Sequence, residues 1–412
     1  MGALPLGKKD RRLMRSLLSE ARVDEVAGLF ETDLEISRYL HQHYDLKAYP
    51  VVKFSNVACA SGVPYVDNAF KRELMLRGLG LNEENVQPEF ARRARGVHAD
   101  QRAPVRAPWA FQRMDWSLLD LPFLKYQPGD GGRYLTSFVF CVQDKAGCYN
   151  LGFYRGEIKD GRTIAVFIDP RTDAHAIIHE RLREEGEVKV SLFNGGPISA
   201  YIGGASKIPA DVDSYVFSSA IADAPIDLCR LGDYPAVPAE SELVLHATLS
   251  GKMIDEGPFC EFKGYYSEKT VGFELTVEAI HARDNPLFFG IFCGKESGLD
   301  LMRLQNETFM YGFLESKGIP VRRVVYPTAY FGEFGVIVEC DTVNEATLRL
   351  VMEYDLRSKL FFLVRNADTL FADLSTFAFE TVTDDYRKRG VRMGGRLGLL
   401  CDNANDFNWK TY

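Results

Sequence analysis

Apolar positions at the start of the chain recur alternately at helical and at extended spacing. Leu13, Leu17 and Leu18 share one face of a helix, and Ile36, Tyr39 and Leu40 one face of a second that Asp33 can cap. YPVVKF at 49–54 reads as a buried strand, and 69–79 as a helix closed by Gly80. This alternation predicts an α/β domain over residues 1–115. Its last part, 92–115, is polar, Arg-rich and broken by Pro104 and Pro108, which suits a connector.

From about residue 117 the pattern changes to long runs of Phe, Tyr, Val and Ile. RYLTSFVFCVQ, YNLGFYRGEI, RTIAVFI, VKVSLF, ELVLHATL and VGFELTVEAI all read as strands, and Lys-Asp-Gly inside EIKDGRTIAV marks a hairpin. One helix interrupts them, from a Thr172/Asp173 cap to Gly186. Residues 116–296 therefore predict a mostly antiparallel, barrel-like sheet domain with inserted helices. Over 297–412, LDLMRLQNETFMYGFLES and EATLRLVMEY read as helices and GVIVEC and KLFFLV as strands, a second α/β domain.

Composition narrows the partners more than the fold. The 412 residues are 46% hydrophobic and 26% charged, as in an ordinary globular protein. A net charge of -8 argues against nucleic acid or an anionic membrane as the main partner. No apolar run is long enough to span a bilayer and no signal-peptide core is visible, so a cytoplasmic protein is expected. The eight cysteines show neither CxxC pairs nor zinc spacing, and reduced thiols are expected.

Two stretches could carry chemistry. In DEGPFCEFKGYYS, Glu256 and Glu261 stand five apart, a spacing that places them on opposite faces of a strand. An irregular loop shaped by Gly257 and Pro258 could aim both at one point. In CYNLGFYRGEI, Asn150 and Arg155 are also five apart, and would face away from each other on a regular strand unless a bulge intervenes. A solvated turn and a structural arginine are the plain readings of these stretches taken singly.

Together, and in order, DLPFLKYQPGDGGRYLTSFVF, YNLGFYRGEI, VPAESELVLHATL and EGPFCEFKGYYS resemble the UbiD family of prenylated-flavin-dependent decarboxylases. LEISRYLHQHYDLKAYPVVKFSNV and SKLFFLV extend the resemblance over nearly the whole chain. It implies an α/β (α+β) fold with an N-terminal α/β domain, a central flavin-binding split β-barrel-like domain and a C-terminal α/β oligomerisation domain. It implies a carboxy-lyase acting on an aromatic, heteroaromatic or α,β-unsaturated carboxylic acid, with Arg155, Glu256 and Glu261 as the catalytic network. Arg155 and Glu256 would clamp the substrate carboxylate and cofactor, and Glu261 would deliver the proton that replaces carbon dioxide. Phe259, Phe262, Tyr265 and Tyr266 could wall that loop.

The family holds its flavin phosphate through a divalent ion, manganese being expected, with K+ nearby. Asn150 matches the first metal ligand and His175, in HAIIH, the second. The third, acidic position is Ser214, with Asp213 and Asp211 as substitutes within reach along the chain. NGGPISAYIGGASKIP occupies the phosphate-cradling region, with Gly204, Ala205 and Ser206 as backbone donors, and Lys359 matches a phosphate-binding lysine. Cys260 and Lys263 replace the usual glycine and small polar residue. A flavin prenyltransferase would supply the cofactor, and a homodimer or higher homo-oligomer is expected. The alternative is a catalytically silent relative serving as a partner subunit or small-molecule binder.

Overall fold

The opening alternation becomes a small sheet flanked by helices. The computed structural model describes residues 12–262, 264–367, 379–388 and 391–401. In chain order come α1 (Met14–Leu18), β1 (Val23–Phe30), α2 (Glu35–His43), β2 (Val51–Val57), β3 (Tyr65–Asp67), α3 (Arg72–Leu79) and α4 (Val86–Ala94). β1 and β2 pair in parallel, and β3 runs antiparallel to β2. Asp33 does not cap α2: the helix starts after Leu34, which has φ 66°, and Asp33 instead bridges to Lys125. α3 starts at Arg72 rather than 69, because the Phe70 and Arg72 amides donate to the side chains of Ser297 and Asp300.

The Phe- and Val-rich runs then build a nine-stranded, curled sheet. Its strands are β4 (Gln112–Met114), β5 (Tyr134–Leu135), β6 (Val139–Gln143), β7 (Tyr149–Gly152), β8 (Gly156–Ile158), β9 (Thr163–Val166), β10 (Val188–Asn194), β13 (Leu243–Glu256) and β14 (Thr270–Ala282), and β11 (Leu228–Cys229) pairs separately with β12 (Val237–Pro238). The spatial order is β5-β8-β9-β14-β13-β10-β6-β7, with β4 on β14 and every pairing antiparallel. The expected β8–β9 hairpin is present, and Lys159 donates its amide to the Thr163 carbonyl at 2.9 Å. β15 (Phe288–Phe289) returns to pair in parallel with β3, so the chain re-enters the first sheet after leaving the second.

Three helices interrupt the large sheet: α5 (Asp173–Glu185), α6 (Ile198–Ala205) and α7 (Ser214–Ile221). α5 has the expected Thr172 cap, whose side chain accepts from the His175 amide. The two shorter helices have no capping signature that stands out in sequence, although Asp213 caps α7 by accepting from the Tyr215 and Val216 amides. One continuous core fills this part of the molecule, from Val26 and Phe54 through Leu124 and Phe138 to Leu245, Leu275 and Phe292.

By its internal contacts the chain divides into two units, residues 1–82 with 93–301, and residues 83–92 with 302–412. α8 (Glu296–Ser316) runs through that division. The second unit contains α9 (Glu345–Tyr354) and a five-stranded sheet of β16 (Val321–Val325), β17 (Gly335–Cys340), β18 (Leu360–Val364), β19 (Phe379–Lys388) and β20 (Val391–Cys401), in the order β16-β17-β18-β20-β19. β17, β18 and β20 are parallel neighbours, as the helix–strand alternation predicts. Among the described residues no helix is long and apolar enough to cross a membrane, and Cys59, Cys141, Cys148, Cys229, Cys260, Cys293 and Cys340 are all free thiols.

The pairing of β14 with β9 depends on Gly272. A Cβ there would stand 2.7 Å from the Val166 carbonyl oxygen, a main-chain atom that cannot swing aside. Gly272→Ala should therefore part the two strands and destabilise the protein by about 1–3 kcal/mol, read as a lower urea midpoint.

Candidate active site

The run YNLGFYRGEI does not form one strand. β7 stops at Gly152 and β8 starts at Gly156, so Phe153–Arg155 are released from the pleat. The break lets Arg155 turn towards the far end of β13, where Glu256 is the last strand residue and wholly buried. Arg155 Nε donates to Glu256 Oε1 at 3.0 Å and Nη2 to Oε2 at 2.8 Å, a bidentate pair. The remaining terminal nitrogen, Nη1, donates to Glu261 Oε1. One guanidinium therefore gathers both glutamates of the EGPFCE stretch, although they stand on opposite sides of a turn. The ring of Phe167 lies 4.7 Å from the guanidinium carbon and that of Phe259 5.9 Å, aromatic faces that stabilise the cation.

The two carboxylates differ in exposure. The side chain of Glu256 is 0% exposed and that of Glu261 24%, with Arg155 between them at 13%. Tyr134 adds its hydroxyl to the buried end, 3.3 Å from Glu256 Oε1 and 3.1 Å from the Pro258 carbonyl. Burial and then the Glu256 charge push the Tyr134 hydroxyl far above its ordinary pKa, so it remains a donor.

Three further residues, which the sequence did not single out, hold the loop. Asp130 accepts from the amides of Cys260 (2.8 Å), Gln127 (2.8 Å) and Tyr126 (3.2 Å). Burial raises the Asp130 pKa, and those amides oppose the rise. Glu157 on β8 accepts from the Gly257 amide at 3.0 Å. Gly131 donates to the Pro258 carbonyl at 2.8 Å, and a Cβ there would stand 2.9 Å from the Gly257 oxygen, so this close approach requires glycine. The signal for Asp130 was in the chain, since an Asp between glycines in QPGDGG suits a turn that collects backbone amides. Of the expected walls, Phe259 is buried, whereas Tyr265 and Tyr266 are 55% and 44% exposed. Tyr265 serves through its carbonyl, which accepts the Glu261 amide, and the Tyr266 hydroxyl accepts from Gly129. Lys263 lies outside the described residues.

The expected metal and phosphate residues are less convergent. Asn150 is half-buried on β7, paired across to Val142. Next to it, the Leu151 amide donates to the Ser214 hydroxyl at 3.1 Å, so Ser214 does stand beside that strand, buried and already bonded. Asp213 cannot substitute for it: its carboxylate is taken by the amides of Tyr149, Tyr215 and Val216. Asp211 is exposed. His175 lies in the first turn of α5, its Nε2 3.1 Å from that of His179, and burial and then His179 lower its pKa. Among the described residues no group of three His, Cys, Asp or Glu side chains could hold a metal ion. Gly204 and Ala205 form the last turn of α6, and the Ser206 amide is bonded to the Gly203 carbonyl at 3.1 Å. Lys359 precedes β18 in the second unit, its amide bonded to the Phe334 carbonyl.

Known proteins resemble this chain in sequence and in fold. Residues 97–296 match the family described as UbiD, 3-octaprenyl-4-hydroxybenzoate carboxy-lyase Rift-related domain. An uncharacterized protein of Aquifex aeolicus is 31% identical over 187 residues, 44% of this chain and 38% of its own length. An anhydromevalonate phosphate decarboxylase of Archaeoglobus fulgidus is 24% identical over 275 residues, 66% of this chain and 63% of its own length. The matches thus span less than two thirds of either relative. An evolved dimeric form of the UbiD-class enzyme HmfF from Pelotomaculum thermopropionicum, solved in complex with prFMN, superimposes with a TM-score of 0.82 over 97% of this chain and 100% of that one, at 17% identity. Residues 97–296 therefore match the UbiD Rift-related domain, and the chain has the fold of UbiD-class enzymes.

Proposed function

We propose that this protein is a non-oxidative decarboxylase that uses prenylated FMN on an aromatic, heteroaromatic or α,β-unsaturated carboxylic acid. The observation that carries this reading is the single guanidinium of Arg155 shared by Glu256 and Glu261. Loss of carbon dioxide from an unsaturated carbon leaves an electron pair that no side chain accepts, and prenylated FMN supplies that sink when bound. Asn150, Gly204, Ala205 and Ser206 are the residues of the first unit assigned to hold it. The donor set fits such a group: a guanidinium with aromatic faces beside it and two carboxylates of unequal burial.

Within that set, Arg155 and Glu256 orient the substrate carboxylate and exclude water from the buried end. Glu261 donates the proton that replaces carbon dioxide. Its single bond to Arg155 and its partial exposure let it release the guanidinium and recover a proton from solvent, which Glu256 cannot do.

The divalent ion does not fit the residues present. A hard cation requires anionic oxygen. Ser214 offers a hydroxyl already bonded to Leu151, and Asp213 is saturated by amides. No manganese-dependent step is therefore assigned. A K+ ion near the flavin phosphate belongs to the same reading. The three-part division at 116 and 297, the role of residues 297–412 in a homodimer or higher oligomer, and a flavin prenyltransferase as supplier belong to the same reading. Ser214 is also the one observation that favours the second reading, a silent relative that binds a small molecule or a partner subunit without turnover.

Co-expression with a flavin prenyltransferase decides between them. The decarboxylase should purify with flavin absorption and release carbon dioxide from at least one acid of an unsaturated panel; a chain that never takes up flavin ends this reading. Glu261→Gln should lower turnover by about 10²–10⁴-fold while flavin content per chain stays unchanged. Turnover equal to the parent's would remove Glu261 from its role. Ser214→Glu should restore the missing anionic ligand, so that the protein purifies with near-stoichiometric divalent metal by mass spectrometry while the parent does not. A parent that already carries manganese through dialysis against a chelator would contradict the misfit.

A further inference from the structure

β13 and β14 carry a second cluster of titratable groups, centred ten residues before Glu256 along β13. His246 and His281 are 1% and 3% exposed, their ring centroids 5.0 Å apart, and all four of their ring nitrogens lack a hydrogen-bond partner. Buried polar groups in native proteins are almost always paired, so two unsatisfied imidazoles side by side call for a cause. Burial lowers the pKa of both, helped for His246 by His281 and for His281 by Arg113, to about 3 and about 4. At neutral pH each ring is uncharged and keeps one N–H donor and one lone pair.

Both rings line a cleft of about 370 Å³ on the first unit, together with Trp109, Phe111, Tyr234 and Arg113. Trp109 lies 5.2 Å from His246 and 5.1 Å from His281 between ring centroids, and Tyr234 stacks on His246 at 4.2 Å. Glu278, also in the lining, does not serve the histidines, because its carboxylate accepts the hydroxyls of Tyr234 and Thr248. That leaves two imidazoles, too few to hold an ion, and among the described residues no metal-binding group of three is present. At the rim, the exposed guanidinium of Arg113 donates to the Glu278 main-chain carbonyl at 3.4 Å, and its charge meets no carboxylate among the described residues.

We infer that this cleft binds a planar aromatic carboxylate, its ring against the aromatic lining, its polar edge on His246 and His281, and its carboxylate towards Arg113. The aromatic walls select a flat ring, the neutral imidazoles a hydrogen-bonding edge, and the guanidinium an anion. Ten residues of strand separate His246 from Glu256, roughly 30 Å of extended chain, so this site is distinct from the Arg155 cluster. It does not depend on the decarboxylase reading.

Trp109 is one of three tryptophans and reports on the cleft directly. Titrating the full-length protein with benzoate should give a saturable fluorescence change that Trp109→Phe removes. Arg113→Gln should weaken benzoate binding about tenfold, and the double variant His246→Phe/His281→Leu should abolish it. Benzamide should bind at least tenfold more weakly than benzoate, and inorganic phosphate should produce no change. The double variant removes unsatisfied groups and should melt no lower than the parent; if it does melt lower, the rim variant Arg113→Gln decides alone. No saturable change with benzoate, parental affinity in Arg113→Gln, or equal binding of benzamide would each overturn the proposal.

Discussion

The Arg155–Glu256 pair is the constraint around which the site is arranged. Glu256 is fully buried, and a carboxylate removed from water is tolerated only when its charge is matched and its lone pairs are filled. The bidentate guanidinium meets the first requirement and Tyr134 adds a donor towards the second. Much of the local chain path follows. The pleat between β7 and β8 opens so that Arg155 can turn inward, and β13 ends at the residue that meets it. The amide that follows Glu256, that of Gly257, goes to Glu157, a neighbour of Arg155 on the adjoining strand. Removing either member of the pair would leave the other as an uncompensated buried charge, which costs about 3–5 kcal/mol.

The sequence made the strands legible because their alternation is long and strongly apolar. Lys-Asp-Gly marked the β8–β9 hairpin, and Thr172 with Gly186 marked both ends of α5. It failed where a tertiary contact replaced a local signal. Leu34 and not Asp33 precedes α2, and α3 is delayed because Ser297 and Asp300, more than two hundred residues away, take the first amides. α6 and α7 escaped notice because ISAYIGGA and SYVFSSAI are apolar almost all round, the composition of helices enclosed on every side, which shows no periodic stripe. The site was legible to the same degree. Glu256 and Glu261 stood out as a pair, and Arg155 through its company. Asp130, Glu157 and Tyr134 act through backbone amides or one shared oxygen, and such partnerships leave no spacing in the chain.

Ser214 stands beside β7, where its hydroxyl accepts the Leu151 amide directly after Asn150 and brings no charge. The neighbouring Asp213 cannot move in to supply one without releasing the Tyr149 amide and both amides at the start of α7, which would then be buried without partners. That carboxylate is thus committed to the helix cap. The surroundings of Asn150 are built for packing and capping, whereas those of Arg155 are built for charge.

The difference between the two glutamates follows from the same physics. A guanidinium has five donors in one plane, enough to serve a second carboxylate after binding the first bidentately. The first bond set sits behind Tyr134 and Phe259, out of reach of solvent, so proton exchange at Glu256 would require breaking two charge-assisted bonds inside the protein. Glu261 hangs from one nitrogen at the edge of the cluster, on a loop whose own amides are held by Asp130 and by the Tyr265 carbonyl. Its backbone is fixed while its carboxylate has one partner to lose. A proton can therefore arrive at Glu261 from solvent without disturbing the buried pair, and geometry alone makes two chemically identical side chains unequal.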